Sequence, residues 1–332
     1  MCDKIKVEEL DPATHELVNG GFKGRICARF GDGGYLMQIS YADEADKFRN
    51  MAVRPDDVWV TTFPRSGTTW TQELVWLLMN DLDFDTALKI PLSSRYNTLE
   101  HYHWKYQKEL NLDILDPELR QKCTEIRLTY DAINNAPSPR FFKTHLAFSL
   151  LPLNLLDSSK VLYVARDPRD VAVSLFHHQK LTWFYAGDFK SFWNLFINDL
   201  VIRSPYLTHL KEAWALRHHP NMLFIFYEDM NKDLPSSIKR VSDFLGKEVK
   251  NEQIAKLCEH LDIENFRKNE SVHPSWRAAI FNPDAEPFVR KGISGGWREY
   301  FDEEMAAQAQ RWMREGLAGS GLRFPHDSSL TF

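Results

Sequence analysis

The residues Thr61 to Trp70, reading Thr-Thr-Phe-Pro-Arg-Ser-Gly-Thr-Thr-Trp, lie between an apolar run, Val58 to Val60, and leucines at helical spacing, Leu74, Leu77 and Leu78. That order reads as a strand, a tight basic loop and a helix. Small residues at the turn let the first helical amides approach an anion, whose charge the helix dipole and Arg65 both favour. The loop predicts a phosphate cradle. A Walker A loop is excluded, because its first Gly and its Lys are missing although Gly67-Thr68-Thr69 echoes its end. A plain strand-to-helix turn punctuated by Pro64 and Gly67 is the ligand-free alternative.

Three further segments bear on that choice. Val161 to Ala165 form a short apolar run suited to a buried parallel strand, and Arg166 stands at its carboxyl end. Asp167 suits an N-cap, Pro168 the first helical position and Asp170 a capping-box acid, so a helix is expected to start there. Ser174 then follows two turns later. Arg166 and Ser174 can address one ligand beyond the strand ends, the usual location in open α/β sheets. In Phe141-Phe142-Lys143-Thr144-His145, strand alternation puts Lys143 and His145 on one face. A neutral His beside a cation can take a proton from a hydroxyl. Far downstream, Phe288-Val289-Arg290-Lys291-Gly292 precedes Gly295 and Gly296, a basic glycine-rich stretch that can wrap an anion or form an exposed turn.

Strands expected near Val58–Thr62, Arg140–Lys143, Val161–Ala165 and Leu223–Phe226 alternate with helical patterns such as Phe192–Arg203 and Leu234–Leu245. Alternation of this kind implies an α/β fold, a central parallel sheet with helices on both faces. With 332 residues and 43% hydrophobic content the chain can bury one large core, read as a single unit with residues 1–54 as irregular cover and 55–326 as the main domain. A net charge of −5 leaves no global nucleic-acid footprint. Cys2, Cys27, Cys123 and Cys258 lack metal or disulfide spacing and fit free thiols. No metal is expected. The charged start, Met1 to Leu10, carries no secretory signal, and no run is long enough to span a membrane, so a cytoplasmic location is expected. Ser271–Glu286, with Pro274 and Pro283, reads as a long loop.

Taken in this order and spacing, these segments resemble the cytosolic sulfotransferase family from about Pro55 to Phe324. The resemblance covers the phosphosulfate loop (Thr62 to Trp70), the Lys-Thr-His strand, Ala165 to Ser174, Phe226 to Met230 and Arg290 to Trp297. It implies 3′-phosphoadenosine 5′-phosphosulfate (PAPS) as donor, 3′-phosphoadenosine 5′-phosphate (PAP) as product, and a hydroxyl or amine as acceptor. By position, Arg65, Ser66, Gly67, Thr68 and Thr69 resemble the 5′-phosphosulfate cradle, and Trp70 the residue stacking on adenine. Arg166, Ser174, Arg290, Lys291 and Gly292 resemble the 3′-phosphate site. Tyr227 resembles the tyrosine near adenine. His145 resembles the base, with Lys143, Arg65 and Ser174 as its catalytic company. Two other classes stay in view: an ATP- and Mg²⁺-dependent kinase, which needs the missing Walker A loop, and a non-catalytic nucleotide binder, which has no use for His145.

The chain departs from the family at three places. Arg65 stands where most relatives have Lys, presenting a planar fork in place of a mobile point charge. His260-Leu261-Asp262-Ile263 replaces His-Thr-Ser-Phe, removing a hydroxyl and a ring expected near the base. The family's dimer motif is replaced at Arg298, Asp302, Glu303 and Ala307, which predicts a monomer or a different dimer. For the acceptor, Phe63, Pro64, Phe142, Trp183, Phe184 and Tyr185 suggest an apolar slot for a phenol, sterol or retinoid-like alcohol, although aromatics at such spacings also build cores. Some insect relatives use sulfonation to dehydrate retinol, so the ester is either product or intermediate.

Overall fold

The computed structural model describes residues 4–22, 26–100 and 129–325; Cys2 and Cys123 lie outside them. Three strands near the amino end, β1 (Val7–Glu9), β2 (Cys27–Phe30) and β3 (Tyr35–Gln38), form a small antiparallel sheet. The sequence predicts irregular cover for this stretch; the described part is instead largely strand and helix, and Gly31 and Gly34 serve the β2–β3 turn with positive φ of 66° and 63°. Phe22, Phe30 and Tyr35 from this segment share one apolar cluster with Trp59 and Phe142 of the main sheet.

The main sheet is wholly parallel, in the order β5 (Asn97–Thr98), β6 (Phe141–Thr144), β4 (Val58–Thr62), β7 (Lys160–Ala165) and β8 (Met222–Phe226). Side-chain alternation explains its burial on both faces. Trp59, Phe142, Val161, Tyr163 and Phe224 point into one cluster, while Val58, Val60, Phe141, Leu162 and Leu223 point into another. The first cluster is closed by the Pro168–Leu181, Phe189–Ile197 and Glu303–Gly316 helices. The second is closed by Thr68–Met79, Leu234–Leu245 and Asn251–Leu261. The helix expected to run from Phe192 to Arg203 stops at Ile197, because Asp199 and Arg203 adopt positive φ of 58° and 84°.

An ion pair ties the residue before β6 to the residue before β4. Arg140 donates Nε to Asp57 Oδ1 at 2.8 Å and Nη2 to Asp57 Oδ2 at 2.6 Å, and a third contact reaches the Ala52 carbonyl at 2.9 Å. Both side chains are fully buried, so the bidentate geometry offsets their desolvation. Among the described residues no helix is long and apolar enough to cross a membrane.

Candidate active site

At its carboxyl end, β4 runs into the basic loop. Phe63 locks the turn from beneath, its ring edge-on to Tyr206 at 4.6 Å and to His209 at 5.6 Å. Arg65 takes a φ of 70° and Gly67 one of 101°. Only glycine fits position 67, since a Cβ there comes within 2.7 Å of the Tyr227 ring. With Gly67 as N-cap of the Thr68–Met79 helix, the amides of Thr68, Thr69 and Trp70 have no intrahelical acceptor and face the loop. This is an anion site by construction.

Three guanidinium groups converge on it. Arg65 donates Nε to Ser174 Oγ at 3.2 Å and Nη2 to the Phe288 carbonyl at 2.8 Å, and lies over the Phe288 ring at 4.7 Å. Arg166 donates to the carbonyls of Arg65 and Ile293 at 3.0 and 3.1 Å and covers the Tyr227 ring at 4.2 Å. Arg290 reaches Tyr300 Oη at 3.0 Å, with Glu286 3.8 Å from its Nε. Arg65 and Arg166 are thus engaged by neutral oxygens, and burial with the repulsion of Arg166 and Arg290 pulls Arg65 down to about 9. Crowded, partly desolvated cations fit an anion of high charge. Arg166 Nε and Arg290 Nε are also buried without a hydrogen-bond partner, leaving donors that a bound anion can use.

The basic downstream stretch is held over this cradle by Asp170. Its carboxylate accepts from the amides of Gly295 at 2.6 Å and Trp297 at 2.9 Å, and it is therefore not a capping-box acid. Asp167 alone caps the helix, accepting from the Arg169 amide. Lys291 turns outward to Glu299 at 2.5 Å. Gly292, at φ 65°, packs against Ile263, where a Cβ would lie 2.8 Å from Cδ1. Trp70 donates its indole N–H to the Leu261 carbonyl at 2.9 Å, with the Tyr227 ring 5.8 Å away. Leu261 thus contributes its backbone to holding Trp70.

His145 follows β6 directly. Its Nδ1 lies 2.9 Å from the Thr62 carbonyl, which can only accept, so Nδ1 carries the proton and Nε2 is left as an acceptor. Burial first, then Lys143 and Arg203, holds the imidazole well below its ordinary range, so it is neutral. His209 supports it from behind, with Nε2 donating to the His145 carbonyl at 3.2 Å and Nδ1 2.7 Å from Tyr163 Oη. Burial pushes the neighbouring Lys143 down to about 8.

These groups share one cavity of about 1430 Å³. It brings together Arg65, Gly67, Thr68, Thr69, Trp70, Lys143, His145, Arg166, Ser174, Tyr227, Arg290, Lys291 and Gly292. Ser66 is buried behind the loop. For the acceptor end, Pro64, Trp183 and Phe184 stand on the wall, but Phe63, Phe142 and Tyr185 do not. Those three belong to the core: Phe142 stacks on Trp59 at 4.0 Å, and Tyr185 packs against Phe22 and Phe192. The long Ser271–Glu286 stretch contains a 3-10 turn, Ser275–Ala279, and supplies Val272, Trp276, Ile280 and Phe281 to the wall. Its His273 ring lies between Phe281 at 6.0 Å and Phe288 at 5.6 Å, stacked on both.

Glu100, Arg203 and His178 are among the wall residues that escaped the motif reading. Of these only His178 carried a usable signal, standing one helical turn beyond Ser174. Burial pushes it down to about 3, and its Nδ1 has no hydrogen-bond partner.

A parallel α/β sheet with an anion cradle and a neutral imidazole at its carboxyl edge defines a group-transfer enzyme of the nucleotide-binding type. The family profile for the sulfotransferase domain matches residues 55–321, and the chain belongs to that family. It is a sulfotransferase, an enzyme whose sulfuryl donor is PAPS. It is 30% identical to the luciferin sulfotransferase of Photinus pyralis, over 97% of this chain and 88% of that one. It is 29% identical to sulfotransferase 1A1 of Rattus norvegicus, over 79% and 84%. Among solved structures it resembles a retinol dehydratase in complex with androsterone and the inactive cofactor PAP, with a TM-score of 0.91 and 42% identity over 98% of this chain and 99% of that one. A second structure of that kind holds retinol and PAP.

Proposed function

We propose that this enzyme moves a sulfuryl group from PAPS to the hydroxyl of an elongated lipophilic alcohol by in-line displacement, with His145 as the base. The observation that carries this reading is the bond from His145 Nδ1 to the Thr62 carbonyl, which leaves Nε2 unprotonated in the cavity that also holds the cradle. When bound, PAPS supplies the sulfuryl group. Arg65, the Thr68, Thr69 and Trp70 amides and Lys143 then stabilise charge developing around it, and Ser174 orients Arg65. Trp70 and Tyr227 receive the adenine. Support for the acceptor comes from the apolar wall at Trp183, Phe184, Trp276 and Phe281 and from the likeness to a dehydratase solved with androsterone and with retinol. An amine acceptor and a cytoplasmic setting are compatible with the same chemistry.

Mass spectrometry of products from PAPS and a panel of phenols, sterols and retinoids tests the reading. Sulfation of an extended alcohol ahead of simple phenols is the expected result. Failure to sulfate any hydroxylated acceptor contradicts it. The likeness to retinol dehydratase favours a second reading, in which the ester is an intermediate; it predicts a product lighter than the acceptor by one water.

Arg166, Ser174 and Arg290 are proposed to hold the 3′-phosphate. A charge-assisted hydrogen bond contributes about 1.5–3 kcal/mol, so Arg166→Ala is expected to weaken PAP roughly ten- to hundredfold. Calorimetry should show a smaller loss for the nucleotide lacking the 3′-phosphate. Equal losses contradict the assignment. We also infer that the family dimer is not formed through Arg298, Asp302 and Glu303, because Asp302 caps its own helix at the Met305 amide and Arg298 lies over Trp297 at 4.5 Å.

A further inference from the structure

We propose that Tyr300 and His177 are positioning residues for Arg290, a phenol and an imidazole that fix one arm of its guanidinium so that the rest of the fork meets the 3′-phosphate. This rests on the reading of Arg290 as a ligand of that phosphate. Arg290 donates Nη2 to Tyr300 Oη at 3.0 Å. A guanidinium can only donate, so the phenol oxygen accepts and its own hydrogen is free for a second partner. That partner is His177 Nε2, 2.8 Å away. Nε2 is then the unprotonated nitrogen of a neutral imidazole. Burial, reinforced by Arg290, Lys180, Lys291 and Arg65, pulls His177 down to about 4, which agrees with that polarity. The chain of donors therefore runs one way, from Arg290 to Tyr300 to His177.

Packing holds the phenol in place. Tyr300 closes the 3-10 turn Gly296–Glu299, which Asp170 grips through the Gly295 and Trp297 amides. Its ring meets those of His177 and Phe189 edge-on, each with centroids 5.4 Å apart. Asp170, Ser174 and His177 stand on successive turns of the Pro168–Leu181 helix, so one helix face aligns the basic stretch, Arg65 and, through Tyr300, Arg290. On its other side Arg290 has only Glu286, whose carboxylate stays 3.8 Å from Nε, beyond hydrogen-bond length, and Nε is buried without a partner. The hydrogen bond that anchors the fork is thus made to a neutral group. A carboxylate in that place would compete with the phosphate for the cation, whereas the phenol fixes the geometry and leaves the charge for the anion.

Tyr300→Phe tests this, because it keeps the ring and removes only the hydroxyl. Calorimetry with PAP and with adenosine 5′-monophosphate, which lacks the 3′-phosphate, reads the preference for that phosphate. The variant is expected to lose roughly 3- to 30-fold in PAP affinity and less than about twofold for the monophosphate, the scale of one misplaced hydrogen bond. On an Arg290→Met background, itself expected to lose the preference, Tyr300→Phe should cost nothing further. His177→Leu removes the acceptor and should shift the preference in the same direction, whereas His177→Gln offers an amide oxygen to the phenol and should restore most of it. That pair decides the matter even if Tyr300→Phe folds poorly. Equal losses for both nucleotides, equal losses on both backgrounds, or a His177→Gln as damaged as His177→Leu overturn the inference. If Arg290→Met keeps the full preference for PAP, the reading of the 3′-phosphate site fails and takes this inference with it. A damaged Arg290→Met with a silent Tyr300→Phe overturns the inference alone.

Discussion

Replacing His145 with alanine is expected to lower turnover by about 10² to 10⁴, the range spanned by a positioned general base, while PAP binds as before. The separation follows from the site's geometry. His145 leans on Thr62 and His209, whereas the cradle is built from Arg65, Arg166, Arg290 and the amides after Gly67. Single-turnover sulfation and calorimetry with PAP measure the two quantities separately. Activity retained within tenfold would remove His145 from the chemistry. The pH dependence gives a second check. Burial and the adjacent Lys143 depress the imidazole below its ordinary range, so the base is already deprotonated at neutrality. The acid limb of kcat/KM, which reports the free enzyme, should therefore lie below about 6.5, the ordinary imidazole value.

Loss of the Arg65 side chain is expected to cost about 10² or more in kcat, the usual scale for deleting one transition-state donor. The guanidinium uses two arms of its fork, one on Ser174 Oγ and one on the Phe288 carbonyl. Lysine can replace the charge and one of those contacts, and its ammonium can swing to the breaking bond. Arg65→Lys is therefore expected to preserve donor affinity within a few-fold and to hold or raise kcat relative to Arg65. Steady-state kinetics with PAPS decide it. If Arg65→Lys were as damaged as Arg65→Ala, the fork itself would be required and a mobile cation would not be the operative element.

β4, β7 and β8 were legible because each is a compact, largely apolar run, and they keep nearly the bounds read from sequence. β5 was not legible, since Asn97–Thr98 is two residues long and neither is apolar. Glu100 depends on that strand for its place, so it carried no signal either. The cradle residues were legible from their order, whereas the acceptor wall was not. Neighbouring residues part company: Phe63 goes to the core and Pro64 to the cavity, and Tyr185 to the core while Phe184 lines the wall. Composition reports that rings are present, and only the backbone path decides which side each one faces. Asp170 shows the same limit, because its partners Gly295 and Trp297 come from the far end of the chain.

Phe288 belongs to both ends of the cavity. Its carbonyl and ring hold Arg65, and the ring also stacks on His273, which in turn stacks on Phe281 of the wall proposed for the acceptor. A ligand that displaces this ring from one side changes the free energy of binding on the other, and linkage makes the exchange symmetric. Whatever factor the bound nucleotide imposes on acceptor affinity, the acceptor must impose on the nucleotide.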